Sequence, residues 1–292
     1  MSGLRLLVTG AGGMLGRDVV RAAERAGIAP VALTRAQLDI TDRLAVEQAF
    51  AQAQPGAAIN CAAWTDVDGA EVHRDQAHAV NVDGAANMAR AAARAGAALV
   101  HISTDYVFVG EAPLDAAGAP RAYVESDPTG PRSVYGQTKL AGELAVLAAS
   151  HRHAVVRSSW LFGLDGPNFV ATMLRLAQER DAVRVVTDQV GCPTWTGHLA
   201  PALVGLLERE VSGLVHLAGG GHVSWNGFAE EIFRQADVCC SVEPAGSADM
   251  GRAAPRPAWS ALRSERDDVL PMPDWRDGLA EYLAARAGMM RA

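Results

Sequence analysis

VTGAGGMLG, Val8 to Gly16, lies between a short apolar run, LRLLV (4–8), and an Ala-rich segment of helical character, 14–26. Gly10, Gly13 and Gly16 form a G-x-x-G-x-x-G pattern, with Gly12 as an extra glycine. One glycine lets the chain turn tightly out of a strand. A second lets backbone N–H groups approach a pyrophosphate, and a third lets the following helix pack close to the sheet. The helix N-terminus adds a dipole that favours the anion. Such a pattern alone is weak evidence. Placed between a strand and a helix, it reads as a dinucleotide-binding turn rather than an ordinary glycine turn.

Working outward from this turn, short apolar runs alternate with longer helical segments. Strands are expected at PVALT (30–34), AAIN (57–60), ALVHIST (98–104) and AVVRSS (154–159). Helices are expected over 41–54, with Thr41 or Asp42 as N-cap, over most of 70–95, and over 133–150. Strands apolar on both faces imply a parallel sheet covered by helices on both sides. The expected fold is therefore α/β, a Rossmann-like doubly wound parallel sheet. Ligands of such sheets bind beyond the carboxyl ends of the strands.

The second half is less regular. Helices are expected at 168–180, 197–210 and 224–236 and after Trp275, a strand at GLVHLA (213–218), and a loop through Pro244, Pro255 and Pro257. The expected organisation is a dinucleotide-binding domain, 1–159, with 187–222 returning to it. Residues 160–186 and 223–292 would form a smaller C-terminal α/β substrate domain.

Composition narrows the function. The 292 residues carry a net charge of −7 without a basic block, so nucleic acid is not an expected partner. Cys61, Cys192, Cys239 and Cys240 show no metal-binding spacing and read as reduced thiols. MSGLRLLVTG lacks the apolar core of a signal peptide, and no run approaches the ~18 apolar residues of a membrane span. A soluble, cytoplasmic protein with no membrane partner is expected.

The cofactor type follows from the second strand. An NAD binder often places an acidic residue after it, to hold the ribose 2′-OH. VALTRAQLD puts Thr34 and Arg35 at that place, and a cation there suits a 2′-phosphate. NADPH is the expected cofactor, with NADH as the alternative. Asp39 and Ile40, in the next short segment, are placed to flank the adenine.

SVYGQTKLAGE, Ser133 to Glu143, contains Lys139, the only lysine of the chain. Every other cation among the 26 Lys and Arg residues is arginine. Tyr135 precedes Lys139 by four residues, which on a helix puts both on one face. A phenol titrates near ~10 and exchanges protons poorly at neutrality. An ammonium nearby favours the phenolate, so the phenol can exchange a proton with a substrate oxygen while a hydride moves at the adjacent carbon. The lysine can also hold the cofactor ribose, where the wide fork of arginine would not fit. Thr104 ends the fourth strand, where its hydroxyl can meet the same carbonyl oxygen.

With these motifs in place, the chain resembles the dTDP-4-dehydrorhamnose reductase family of extended short-chain dehydrogenases/reductases. The likeness runs almost end to end, through TGAGGMLG, LDITD, NCAAWTDVDGAE, VHISTDYVF, YGQTKLAGE, VRSSWLFG, DQVGCPTW, GLVHLAGGG and RPAWSAL. The resemblance implies that Thr104, Tyr135 and Lys139 form the catalytic triad. It implies that Gly10, Gly12, Gly13, Met14 and Leu15 hold the pyrophosphate and that Ala62, Ala63 and Trp64 touch the cofactor. Thr65 and Val67 would adjoin the active site, and Asp105 and Trp160 would contact the nucleotide-sugar. Arg256, in RPAWSAL, would reach the substrate diphosphate. Some bacterial members join two subunits through a metal bridged by glutamates. Here one such position is Asp18 and another falls near Gly197 and His198, which offer no carboxylate, so no metal is expected. A homodimer is the protein partner the resemblance allows.

The implied reaction is NADPH-dependent reduction of the 4-keto group of a dTDP-4-keto-6-deoxysugar, dTDP-4-dehydro-L-rhamnose. Related dehydratases carry Asp-Glu after the threonine. Here Asp105 and Tyr106 follow, so dehydration is not expected. Two alternatives stay open. One is a reductase of another dTDP-4-ketosugar, such as a dihydrostreptose-type precursor. The other is a non-catalytic subunit like the regulatory subunit of methionine adenosyltransferase.

Overall fold

Leu6–Thr9, the residues before the glycine turn, form β1, and all four side chains are buried. A strand buried on both faces needs helices on both sides of its sheet. The computed structural model describes residues 4–289. The first residues of the expected dinucleotide domain, 1–3, and the last of the expected substrate domain, 290–292, lie outside the described residues. After β1 come α1 (Met14–Arg25), β2 (Val31–Leu33), α2 (Arg43–Ala53), β3 (Ala57–Asn60), α3 (Val67–Val72), α4 (Arg74–His78), α5 (Ala85–Arg94), β4 (Ala98–Thr104), α6 (Val134–Ala149) and β5 (Ala154–Ser158). The second half contributes β6 (Leu161–Phe162), α7 (Phe169–Glu179), β7 (Ala182–Val186), β8 (Val190–Gly191), β9 (Thr194–Trp195), α8 (Thr196–Glu208), β10 (Gly213–His216), β11 (Val223–Ser224), α9 (Trp225–Gln235), β12 (Ser241–Ala245) and α10 (Trp275–Met289).

The main sheet has six strands in the order β10-β5-β4-β3-β1-β2, and every neighbouring pair is parallel. The chain winds outward from β1 to β2, then crosses over to β3 and continues the other way. The switch point between β1 and β3 opens a crevice at the carboxyl ends of the strands. Alternate residues of each strand enter opposite cores. Leu6 and Val8 pack with Val19 of α1 and with Leu199 and Leu203 of α8. Leu7 packs with Val46 and Phe50 of α2 and Met88 of α5. A third core, built on Phe162, Phe228, Ile232, Trp275 and Tyr282, draws on β6, α9 and α10. Between 187 and 222, α8 packs on α1 and β10 completes the main sheet, whereas β8 and β9 pair with β11 and β6. Among the described residues no helix is long and apolar enough to cross a membrane.

Several elements differ from the sequence expectation for local reasons. The helix expected over 41–54 begins at Arg43, because the Asp42 carboxylate accepts from Leu44 N and Ala45 N at 2.9 and 3.1 Å. Such a cap is worth about 1 kcal/mol. The long helix expected over 70–95 is broken. Asp66 caps the short α3, His73 leaves helical geometry at φ −109° and ψ 51°, and residues Ala79–Gly84 form a π-helical turn. That turn swings Asn81 inward against α6, where a Cβ on Gly142 would lie 2.1 Å from Asn81 O. The loop expected around Pro244 is in part a strand. SVEPA is β12, parallel to β7 in a two-stranded ribbon whose exposed edge tolerates proline. β6, β8, β9 and β11 are each two residues long, too short to show a sequence period.

α6 is fixed to the sheet by charge. Arg157 of β5 reaches Glu143 of α6 with Nε–Oε1 at 2.9 Å and Nη2–Oε2 at 2.7 Å, and both residues are almost wholly buried. Ser103 Oγ of β4 also donates to Glu143, and the Arg157 guanidinium lies 4.9 Å over the Phe108 ring. Removing one partner of such a pair strands the other charge in the core. Glu143→Ala is therefore expected to lower the unfolding free energy by about 3–5 kcal/mol in urea titrations. A loss under about 1 kcal/mol, typical of an exposed pair, would contradict this account of α6.

Candidate active site

Gly10 leaves β1 at φ +67°, and a Cβ there would sit 2.6 Å from Ala62 N. Only glycine lets this turn approach the end of β3 so closely. A Cβ on Gly16 would meet Gly10 O at 2.2 Å, so the third glycine of the pattern seats α1 against the turn. Gly13 is the N-cap of α1 and offers no side-chain cap. The first-turn amides of α1 are thus left to an outside acceptor, as a pyrophosphate cradle requires. Ala11 N donates to Leu33 O at 3.1 Å and ties this loop to the end of β2.

Beyond β2, Thr34 binds Gln37 and Arg35 is exposed. The Asp39 carboxylate is occupied by Thr41, from Thr41 N at 2.9 Å and Thr41 Oγ1 at 2.8 Å. These bonds, with Arg35 adding attraction, hold Asp39 below the usual carboxylate range. Arg35 lines this end of the cleft.

After β3, the loop carrying Ala62, Ala63, Trp64 and Thr65 is held from both ends. Ala62 N donates to Asn60 Oδ1 at 3.0 Å, and Trp64 N donates to Asn81 Oδ1 at 2.9 Å. Asn81 Nδ2 donates in turn to Thr138 Oγ1 of α6 at 3.1 Å. The π-helical turn therefore couples the loop after β3 to the helix of Tyr135 and Lys139. Such turns often serve functional sites.

Ser133 caps α6, accepting from Gly136 N at 3.1 Å, and the i, i+4 spacing brings Tyr135 and Lys139 to the cleft as expected. Thr104 ends β4 beside them. Its hydroxyl donates to Asp105 Oδ1 at 2.9 Å. Tyr106 packs edge-on against Tyr135 with ring centroids 5.5 Å apart.

The groups are electrostatically distinct. Burial pushes the Tyr135 phenol up to about 12, against a lowering from the Thr104 hydroxyl. Burial pushes Lys139 down to about 8, with Glu143 and Cys61 opposing it. Burial lifts the Asp105 carboxyl to about 6, which the Ser260 and Thr104 hydroxyls only partly offset. Asp105 Oδ2 is buried without a hydrogen-bond partner. The expected lowering of the phenol by a neighbouring ammonium is thus outweighed here by burial. Lys139 Nζ turns toward Ile102 O and His101 instead.

A cleft of about 1140 Å³ joins these parts. It brings together Gly10, Gly12, Gly13, Met14, Leu15, Thr34, Arg35, Asp39, Ile40, Ala62, Ala63, Trp64, Thr65, Val67, Thr104, Asp105, Tyr135, Lys139 and Trp160. Arg256 is not among its lining residues. Its Nη1 and Nη2 pair with the two Asp68 oxygens at 3.0 and 2.7 Å, while the rest of RPAWSAL stitches to Gly110, Val190 and Tyr123. Asp18 is held by Arg21 Nη2 at 2.6 Å and by Thr196, and His198 faces Glu281 at 3.1 Å.

The sequence reading missed Trp225, which stacks on Trp160 with centroids 3.5 Å apart. Trp160 itself has φ +48°, a conformation costly for a bulky residue. Asn81 and the Asn60–His101 pair behind Lys139 were also missed. The available signal was a polar residue inside an otherwise apolar strand or helix, as with His101 in ALVHIST.

The sequence model of the RmlD substrate binding domain matches residues 4–287. A dTDP-4-dehydrorhamnose reductase of Mycobacterium tuberculosis is 47% identical over 290 residues, covering 97% of this chain and 93% of that protein. A solved dTDP-4-dehydrorhamnose reductase of Clostridium acetobutylicum superposes with TM-score 0.91 at 38% identity, covering 99% of this chain and 100% of that one. The Bacillus anthracis enzyme, solved in complex with NADP, gives TM-score 0.90 at 37% identity, covering 97% and 99%.

The buried Asp105 makes stability depend on pH. Its folded pKa of about 6 lies above the unfolded value near ~3.9. The neutral carboxyl therefore stabilises the fold fully below ~3.9, and that contribution is lost as pH rises through about 6. Relative to wild type, Asp105→Asn should gain on the order of 2 kcal/mol between about pH 4.5 and 7.5. Paired urea titrations measure this, and a pH-independent difference would contradict the assignment.

Proposed function

The chain belongs to the RmlD substrate binding domain family, and we propose that it reduces the 4-keto group of dTDP-4-dehydro-L-rhamnose with NADPH, giving dTDP-L-rhamnose. The observation that carries this reading is the convergence of Thr104, Tyr135 and Lys139 with the glycine turn on one cleft.

The residues fit a dinucleotide. The turn at Gly10 has room that a Cβ would fill, and the uncapped start of α1 suits a pyrophosphate. Arg35, with Thr34 beside it, suits the 2′-phosphate, which favours NADPH over NADH. When bound, NADPH supplies the hydride. Tyr135 Oη, still protonated at neutrality, donates its proton to the ketone oxygen as the carbonyl becomes an alcohol. Thr104 swings its hydroxyl from Asp105 to the same oxygen and fixes the ketone's position. Lys139 keeps a donor for the ribose. The stacked Trp160 and Trp225 wall the substrate side of the cleft. An open glycine turn and an intact triad leave the non-catalytic reading without a supporting feature.

Mixed with NADPH and dTDP-4-dehydro-L-rhamnose generated in place, the protein should deplete the nicotinamide absorbance. Turnover of a different dTDP-4-keto-6-deoxysugar in its place would move the substrate assignment. Tyr135→Phe should retain NADP⁺ binding while kcat/KM falls by roughly 10²–10⁴-fold. Arg35→Glu should raise KM for NADPH with little change for NADH. Equal effects on both cofactors would remove Arg35 from the 2′-phosphate.

A further inference from the structure

Arg17 lines the cleft beside the glycine turn, and the reduction described above leaves it unused. Arg17 N donates to Gly13 O, the N-cap carbonyl, at 3.0 Å, so the residue stands one turn into α1. Its Nε donates to Gly12 O at 3.1 Å. That bond folds the side chain back over the turn and leaves the Nη hydrogens for another acceptor. The side chain is 54% exposed, and its ion pair with Asp165 is loose, with Nη1 3.8 Å from Oδ1.

Asp165 has a firmer partner. Its other oxygen accepts from Arg21 Nη2, the same nitrogen that reaches Asp18 Oδ1 at 2.6 Å. Two carboxylates thus share the guanidinium of Arg21, and Arg17 brings the second positive charge to this wall. Without Arg17 the four-residue cluster would be net negative and would repel an anion. The loop carrying Asp165 packs on the residue that opens α1. A Cβ on Gly166 would lie 3.8 Å from Met14 Cβ, and one on Gly163 would lie 2.8 Å from Met14 Cγ. Asn168 stiffens the loop, its Nδ2 donating to Gly163 O and Gly166 O at 2.8 and 3.2 Å. Asp165, Gly166 and Pro167 line the same cleft as the glycine turn. Arg17 touches both, through Gly12 O and Asp165, where the first turn of α1 has no side-chain cap.

We propose that Arg17 is a binding residue for the cofactor diphosphate: anchored through Nε on Gly12 O, it turns its Nη edge from Asp165 to the phosphate oxygens. The proposal rests on the dinucleotide reading of the glycine turn. A diphosphate bridge carries about two negative charges, and a helix N-terminus supplies about +0.5. Main-chain amides alone leave most of that charge unmatched. The planar fork of a guanidinium meets two phosphate oxygens at once. An exposed ion pair is weakly held, so Arg17 leaves Asp165 at little cost, and Asp165 keeps Arg21. The 2′-phosphate is a separate anion beyond β2, where Arg35 stands.

Calorimetric titrations without substrate separate the two anions. NADPH carries both, whereas NADH and ADP-ribose carry the diphosphate without the 2′-phosphate. Arg17→Gln should weaken all three alike, by roughly tenfold in Kd. The ratio of variant to wild-type Kd should shrink as salt rises from about 0.05 to 0.5 M, because the lost attraction is screened. Glutamine is a good helix former and suits an exposed position of α1. Should this variant fail to fold, Arg17→Lys replaces it. Lysine keeps the charge but lacks the fork and the Nε anchor, and should weaken the three ligands by a smaller, equal factor. Unchanged binding of NADH and ADP-ribose would overturn the proposal. A loss confined to NADPH would move Arg17 to the 2′-phosphate and overturn it too. So would a ratio independent of salt, which marks a distorted turn rather than a missing charge. Wild-type protein that binds none of the three would instead overturn the dinucleotide reading, so the two failures are distinguishable.

Discussion

Glu143 and Arg157 face each other almost without water, and the cleft takes its shape from that contact. α6 carries Tyr135 and Lys139, yet it meets the sheet through small residues and a short apolar surface. A charged clamp to β5, shared with Ser103 of β4, sets both how deep the helix sits and how it is rotated. Rotation decides chemistry, because a helix turned by one residue would point Tyr135 away from Thr104. Buried pairs of this kind contribute little net stability over an apolar replacement. Here the pair specifies one docking geometry for the helix.

The other wall of the cleft depends on close approach. β1 and β3 are hydrogen-bonded neighbours at the switch point, and the chain leaves both at the same end. Gly10 brings the turn within contact of Ala62, and Asn60 fastens that loop from beneath. Asn81, thrust inward by a π-helical turn, ties the same loop to α6. The glycine-turn side of the cleft and the Tyr135 side therefore share a polar framework that is continuous from β1 to α6. The third core adds the stacked Trp160–Trp225 pair, which lines the cleft.

Legibility in the sequence followed the physics of each feature. The parallel sheet, the glycine turn and the triad are local patterns: a burial run, three spaced glycines, an i, i+4 pair. Their residues line the cleft as read. Arg256 was legible as a cation in a distinctive string, yet what it meets is Asp68, 188 residues away in the chain. The broken 70–95 helix hid because alanine favours helix everywhere, and the breaks come from Asp66, His73 and the demands of packing on α6. Two-residue strands carry no period at all.

By itself the sequence determined the architecture and the candidate reacting groups, since spacing, glycine placement and side-chain type are written residue by residue. Only the tertiary structure decided their charge states and partners. Whether Tyr135 keeps its proton, whether Asp105 is ionised and what Lys139 faces depend on desolvation and on donors from β1, β3 and β4. Those donors lie far apart in the chain and meet only when the sheet closes beneath α6.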